Sequence, residues 1–101
     1  MELKIKLKII YSVLKELSEG NRAIDEKIYG IEFIEFIDIL GFLQNEGLIR
    51  NFKTTKYING TQIGWWDKAE VTMKGIQYLE ENSTLAKNYK KIKEVRDWLP
   101  L

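Results

Sequence analysis

The chain contains no cysteine and no histidine. Without cysteine there is no disulfide framework, no thiol nucleophile and no thiolate metal site, and the absence fits a reducing compartment. Without histidine the usual general base and the commonest transition-metal ligand are missing. Proline occurs once, at position 100, so no Pro-rich linker divides the chain. No apolar run approaches the roughly 20 residues needed to cross a bilayer. No apolar segment is followed by a small-residue cleavage site either, and the expected location is the cytoplasm. Basic residues are absent in one place: from Gly30 to Gly47 there is no Lys or Arg, against Glu32, Glu35, Asp38 and Glu46.

What remains is 101 residues, 45% hydrophobic and 31% charged, the profile of one folded domain over residues 1–101. The net charge of +1 conceals a pattern. Residues 1–24 carry net +2, residues 25–47 one Lys against six acids (net −5), residues 48–75 net +3 and residues 76–101 net +1. An acidic middle lies between mildly basic flanks.

At the start, Leu3, Ile5, Leu7 and Ile9 alternate with lysines as a half-buried strand would. Leu3, Leu7, Ile10, Leu14 and Leu17 also keep a 3–4 spacing, so a helix accounts for more of the segment, with a strand over residues 2–9 as the alternative. Gly20-Asn21 stops it. "AIDEKIYG" reads as a short second helix closed by Gly30. Ile34, Ile37, Leu40 and Leu43 then recur at helical spacing, flanked by Phe33, Phe36 and Phe42, until Gly47. "LIRNFKTTKYINGTQIGWWDKAEVT" is rich in β-branched and aromatic residues, and Asn59-Gly60 at its centre predicts a type I′ hairpin. A two-residue loop would pair Thr54 with Trp65 and Phe52 with Asp67. Thr72 is placed to cap a helix "MKGIQYLEEN", and Ser83 another, "TLAKNYKKIKEVRDWL", ended by Pro100. The order helix, short helix, helix, hairpin, helix, helix predicts an α+β fold: a winged helix-turn-helix of three N-terminal helices and a β-hairpin wing, with two C-terminal helices.

"IIYSVLKELSEGN", "GIEFIEFIDILGFLQNEGLI" and especially "VTMKGIQYLEENSTLAKNYKKIKEVRDWL" resemble the YjcQ-like family, small winged-helix proteins of Gram-positive bacteria and their prophages. The likeness runs from Ile9 to Leu99, outside the lysine-alternating start and the exact wing sequence. Its T-x-K-G-x-x-Y-L core also recurs after the wing in many winged-helix regulators. The resemblance implies architecture and a phage or prophage context, and transfers no catalytic or binding residue.

The third helix would occupy the reader's position, yet its outward face (Glu32, Glu35, Asp38, Ile39, Phe42, Asn45, Glu46) sets four carboxylates against DNA phosphates. Only Asn45 offers an amide for adenine. Glu35, Asp38, Ile39 and Phe42 are therefore candidates for a protein-docking face. The wing is the opposite case: Arg50, Lys53, Lys56 and Lys68 alternate with Tyr57, Trp65 and Trp66, a set able to follow phosphates and stack on bases. Trp65 and Trp66 are adjacent and must face opposite sides of a strand, so one is expected inside and one outside. In the last helix, Leu85, Tyr89, Ile92, Val95 and Leu99 form an apolar stripe beside Lys87, Lys90, Lys91, Lys93 and Arg96. Paired acids come with no nucleophile, ligand set or phosphate loop. No enzyme, cofactor, metal or small-molecule substrate is expected. Two functions compete: a phage- or prophage-type transcriptional regulator touching double-stranded DNA mainly through its wing, or a non-catalytic protein-interaction module, a homodimer included.

Overall fold

The computed structural model describes residues 1–89 and 92–99. Its first helix, α1 (Leu3–Ser18), forms across the lysine-alternating start, so the helical spacing prevails there over the strand period. The buried stripe differs from the expected one. Leu3 and Leu7 are exposed, whereas every residue from Lys8 to Leu14 is buried. A helix buried on all sides is one wrapped by its neighbours, and the later elements close around α1. Gly20 ends it in the left-handed region (φ 86°), and the Asn21 N–H returns to the Glu16 carbonyl at 2.9 Å.

Helix α2 (Glu26–Tyr29) is a single turn held at both ends. The Asp25 carboxylate accepts from the Ile28 N–H at 3.0 Å, and Gly30 (φ 70°) lets the Ile31 N–H close back on the Glu26 carbonyl. Helix α3 (Phe33–Asn45) lacks a Ser, Thr or Asp cap; Glu35 replaces it by accepting the Glu32 N–H at 3.0 Å. Its core stripe is Phe36, Ile39, Leu40 and Leu43, with Ile37 beside it. This corrects two expectations. Ile39, expected outside, is 1% exposed, and Ile34, expected inside, is 53% exposed. At ~100° per residue Ile34 lies ~120° from Leu40, beyond the edge of the buried arc.

Beyond Gly47 the chain forms one bent antiparallel ribbon. Strand β1 (Ile49–Arg50) pairs with β4 (Glu70–Val71), and β2 (Lys53–Lys56) with β3 (Gln62–Trp65). Between the two ladders the residues 51–52 oppose 66–69; Asn51 turns left-handed (φ 66°) and the Ala69 N–H closes a turn on the Trp66 carbonyl. The expected pairing of Phe52 with Asp67 and Thr54 with Trp65 is not formed. Lys53 faces Trp65 and Thr54 faces Gly64. The hairpin loop has three residues, with Tyr57 bonded to both Gly60 and Thr61, and only Gly60 of the Asn-Gly pair is left-handed (φ 88°). Such a loop needs one positive φ rather than two, and the Asn59 side chain secures it by accepting the Thr61 N–H at 3.0 Å. The one-residue change of register decides which tryptophan turns inward.

Helix α4 (Met73–Glu81) follows β4 directly. Thr72 accepts the Gly75 N–H at 3.1 Å and donates its hydroxyl to the Gly47 carbonyl at 2.6 Å, while its own N–H bonds the Leu48 carbonyl at 3.0 Å. Gly75 lies against that same carbonyl: a Cβ there would stand 2.3 Å from the Leu48 oxygen. The T-x-K-G spacing is thus a docking device, with Thr72 tying α4 to the end of α3 and Gly75 letting its backbone touch Leu48, the residue before β1.

The expected long last helix is not formed. A 3-10 turn at Ser83–Ala86 gives way at Lys87 and Asn88 (φ 69°), and a second at Ile92–Glu94 leads into α5 (Val95–Trp98). Ser83, expected as a cap, is instead the first residue inside the turn, with Asn82 in the N-cap position. The break lets Tyr89 and Trp98 meet edge to face at 4.7 Å and bury against α1, with the Trp98 indole N–H on the Lys87 carbonyl. Lys8 donates to the Trp98 carbonyl at 2.9 Å, and Arg96 caps α2 through the Lys27 and Ile28 carbonyls. Tertiary burial outweighs the helical stripe here. Lys90, Lys91, the Lys93 side chain and Pro100 lie outside the described residues.

A polar chain pins this segment to α1. Tyr89 gives its proton to the Glu16 carboxylate (2.7 Å), so towards Ser12 (2.9 Å) it can only accept. Ser12 must then accept from Tyr29, also at 2.9 Å. Asn21 satisfies the second Glu16 oxygen at 2.8 Å. Burial first, and then the nearby Glu16 carboxylate, push the Tyr29 and Tyr89 phenols well above their ordinary 10.0.

Candidate nucleic-acid interface

The ribbon has two faces with different jobs. On the inner face, Phe52 is buried and Trp66 packs edge to face on Phe36 at 5.2 Å, its indole N–H reaching the Arg22 carbonyl at 3.3 Å. Gly64 completes that face, since a Cβ there would stand 2.5 Å from the Ile37 Cδ1. A glycine inside a strand commonly marks such a close approach. The outer face carries Lys53 and its cross-strand partner Trp65, which is 46% exposed. Lys68, on the turn below, joins them: Lys53, Trp65 and Lys68 line one shallow pocket together with Asn51 and Asp67.

The structure therefore divides the wing residues singled out by sequence. Lys53, Trp65 and Lys68 converge. Lys56 and Tyr57 are exposed further out, next to Ile58 at the tip. Arg50 is exposed at the ribbon base, but its guanidinium pairs with Glu70 at 3.4 Å, and Asn51 donates to the same carboxylate. Trp66 belongs to the packing of the ribbon, not to its outer surface. A half-exposed indole sharing a pocket with two lysines offers a flat stacking surface beside positive charge, and Asp67 is the carboxylate on the pocket wall.

On α3, Asp38 and Phe42 (46% exposed) do face outward, with Ile34, Asn45 and Glu46. Glu35 is half-buried and already engaged as a helix cap. Ile39 is in the core and cannot anchor a partner.

Two residues that orient the ribbon escape a sequence reading focused on charge. Gln44 faces the bulge at Phe52 and completes a pair of bonds, its amide N–H to the Phe52 carbonyl at 2.9 Å and its oxygen to the Phe52 N–H at 2.8 Å. It serves as a strand neighbour at a point where the ladder is interrupted. The signal is its place four residues after Leu40, a polar side chain on the buried stripe of α3. Arg22 reaches the Leu17 and Ala69 carbonyls, holding the turn under the outer ladder.

Comparison with known proteins gives two matches. The family model described as "YjcQ protein" matches residues 7–98, a span that includes the whole ribbon. The chain is also 38% identical over 94 residues to "Uncharacterized protein YjcQ" of Bacillus subtilis (strain 168), covering 93% of this chain and 97% of that one. No solved structure matches.

Proposed function

This chain belongs to the YjcQ family, and we propose that it is a winged helix-turn-helix protein of the phage or prophage regulator type, which holds double-stranded DNA mainly through its wing. The observation that carries this reading is the outer pocket of the ribbon, which Trp65 lines together with Lys53, its cross-strand partner, and Lys68. The ammonium groups would meet phosphates, and the indole would lie against sugar or an exposed base; a stacked base is worth roughly 1–3 kcal/mol. Helix α3 contributes little to such a complex, because Asp38 and Glu46 on its outer surface are repelled by phosphates. The action is binding, without catalysis.

The test is a salt titration of binding to random duplex DNA. Trp65 is the natural fluorescence reporter, since Trp98 is buried and Trp66 is partly covered. Three phosphate contacts correspond to a log–log slope of roughly −2.7, and Lys53→Glu, Lys56→Glu and Lys68→Glu together should abolish it. Failure to bind at about 50 mM salt, where screening is weak, would refute the proposal. Exposure of Phe42 among carboxylates favours a second reading, that the α3 surface docks protein.

A further inference from the structure

We infer that the outward surfaces of α1 and α3 form a self-complementary patch on which a second copy of this chain docks about a two-fold axis; this rests on the reading of α3 as a protein-docking surface and names its partner. Leu3, Lys6 and Leu7 lie within one face of α1 by their 3–4 spacing, with Lys4 beside them. All four are exposed, Leu3 at 70%. On α3 the matching strip is Ile34, Asp38 and Phe42, flanked by Glu46.

The two strips are neighbours, because the Lys6 ammonium stands 5.8 Å from the centre of the Phe42 ring. The patch therefore has apolar side chains along both helices, cations on the α1 side and carboxylates on the α3 side. That division of charge selects the occupant. A patch with one sign on each half is its own complement under a two-fold rotation, which lays each copy's lysines over the other's acids and closes the assembly at two. A nucleic acid is repelled by the α3 half. The exposed leucines and Phe42 supply the apolar contact that charge alone lacks.

Sedimentation velocity on the intact chain tests this by mass. Wild type is expected to shift from one to two chains across the range of roughly 1–100 μM. Lys4→Glu with Lys6→Glu makes both halves acidic, and Asp38→Lys with Glu46→Lys makes both basic; each variant alone should stay monomeric. Mixed one to one, they should form a heterodimer, because each mismatch then meets its opposite. Circular dichroism identifies any variant that has unfolded, and Leu7→Glu then supplies the monomeric control. A wild type that remains monomeric throughout, a mixture that does not associate, or an open-ended series of larger species would each overturn the inference. DNA binding by the wing is read separately by salt titration, so either conclusion can fail without the other.

Discussion

The two ends of the bent ribbon obey different rules. At the inner end, β1 and β4 are held by Thr72, Gly75 and Gln44 through backbone bonds and close contact, and Trp66 and Phe52 face the core. At the outer end, every residue of β2 is exposed, and the flat aromatic surface is Trp65 among charges. Both ends share one sequence style, β-branched and aromatic with scattered lysines, so composition does not separate them. What separates them is whether a side chain meets α3 and α1 or meets water. Stability is concentrated at the inner end, and the surface available to a partner at the outer end.

The largest effect should come from breaking the inner end. Gly75→Ala forces a methyl group onto the Leu48 carbonyl and the Val71 side chain, 2.3 and 2.6 Å away. The carbonyl is backbone and cannot rotate aside, so α4 must lift from Leu48. A loss of about 3 kcal/mol is expected, lowering the melting temperature by roughly 10–20 °C. Gln44→Ala comes next. It strips both partners from the Phe52 backbone at the bulge, at a cost of about 1–3 kcal/mol, and faster amide exchange confined to residues 51–52 and 66–69 would locate the damage.

The same contrast reaches the C-terminal segment, which is also held by buried polar atoms. Tyr89→Phe keeps the ring contact with Trp98 and removes the bonds to Glu16 and Ser12. About 1–2 kcal/mol should be lost in urea melts at neutral pH. The raised phenols of Tyr29 and Tyr89 fix the pH response. Their neutral forms are favoured in the folded state, so their contribution is complete below pH 10.0, the ordinary value, and is lost as the pH climbs above it. Tyr89→Phe should therefore flatten the alkaline fall in stability. An unchanged alkaline slope would mean that the phenol is not buried as described.

How much of this was legible beforehand depends on how local the cause is. Helices α1 to α4 could be read from periodicity, Gly20, Gly30 and Gly47 as stops and Thr72 as a cap, all causes acting within a few residues. The opposite orientation of Trp65 and Trp66 was also legible, from alternation alone. Which of them turned inward was not, because Asn59-Gly60 serves a three-residue loop as well as a two-residue one and the register follows the loop. The burial of Ile39 is not legible from spacing, because the width of a buried stripe depends on how many neighbours wrap the helix. The break in the last helix is not legible locally, because its apolar stripe is satisfied equally by folding Tyr89 and Trp98 back onto α1, a choice made by distant residues. Of the candidate wing surface, the residue types were legible but not their grouping: only the bend at 66–69 brings Lys68 up to Lys53 and Trp65.

The smallest effect on stability should come from the outer end, and it tests the comparison most sharply. Trp65→Ala removes a ring that is half in water, and is expected to cost no more than about 1 kcal/mol. Its effect on DNA binding should be larger, since losing one stacking contact weakens affinity by roughly 5- to 150-fold. The salt dependence then separates the parts of the pocket. Trp65→Ala carries no charge change, so affinity should fall at every salt concentration with the slope preserved. Lys53→Ala should instead reduce the slope by about one counterion. If Trp65→Ala destabilised the fold as much as Gly75→Ala, the outer tryptophan would be a packing residue and the division between the two ends would not hold. If it left both stability and DNA affinity intact, the stacking surface would be the part of the wing proposal to abandon, and the lysines alone would remain to be tested.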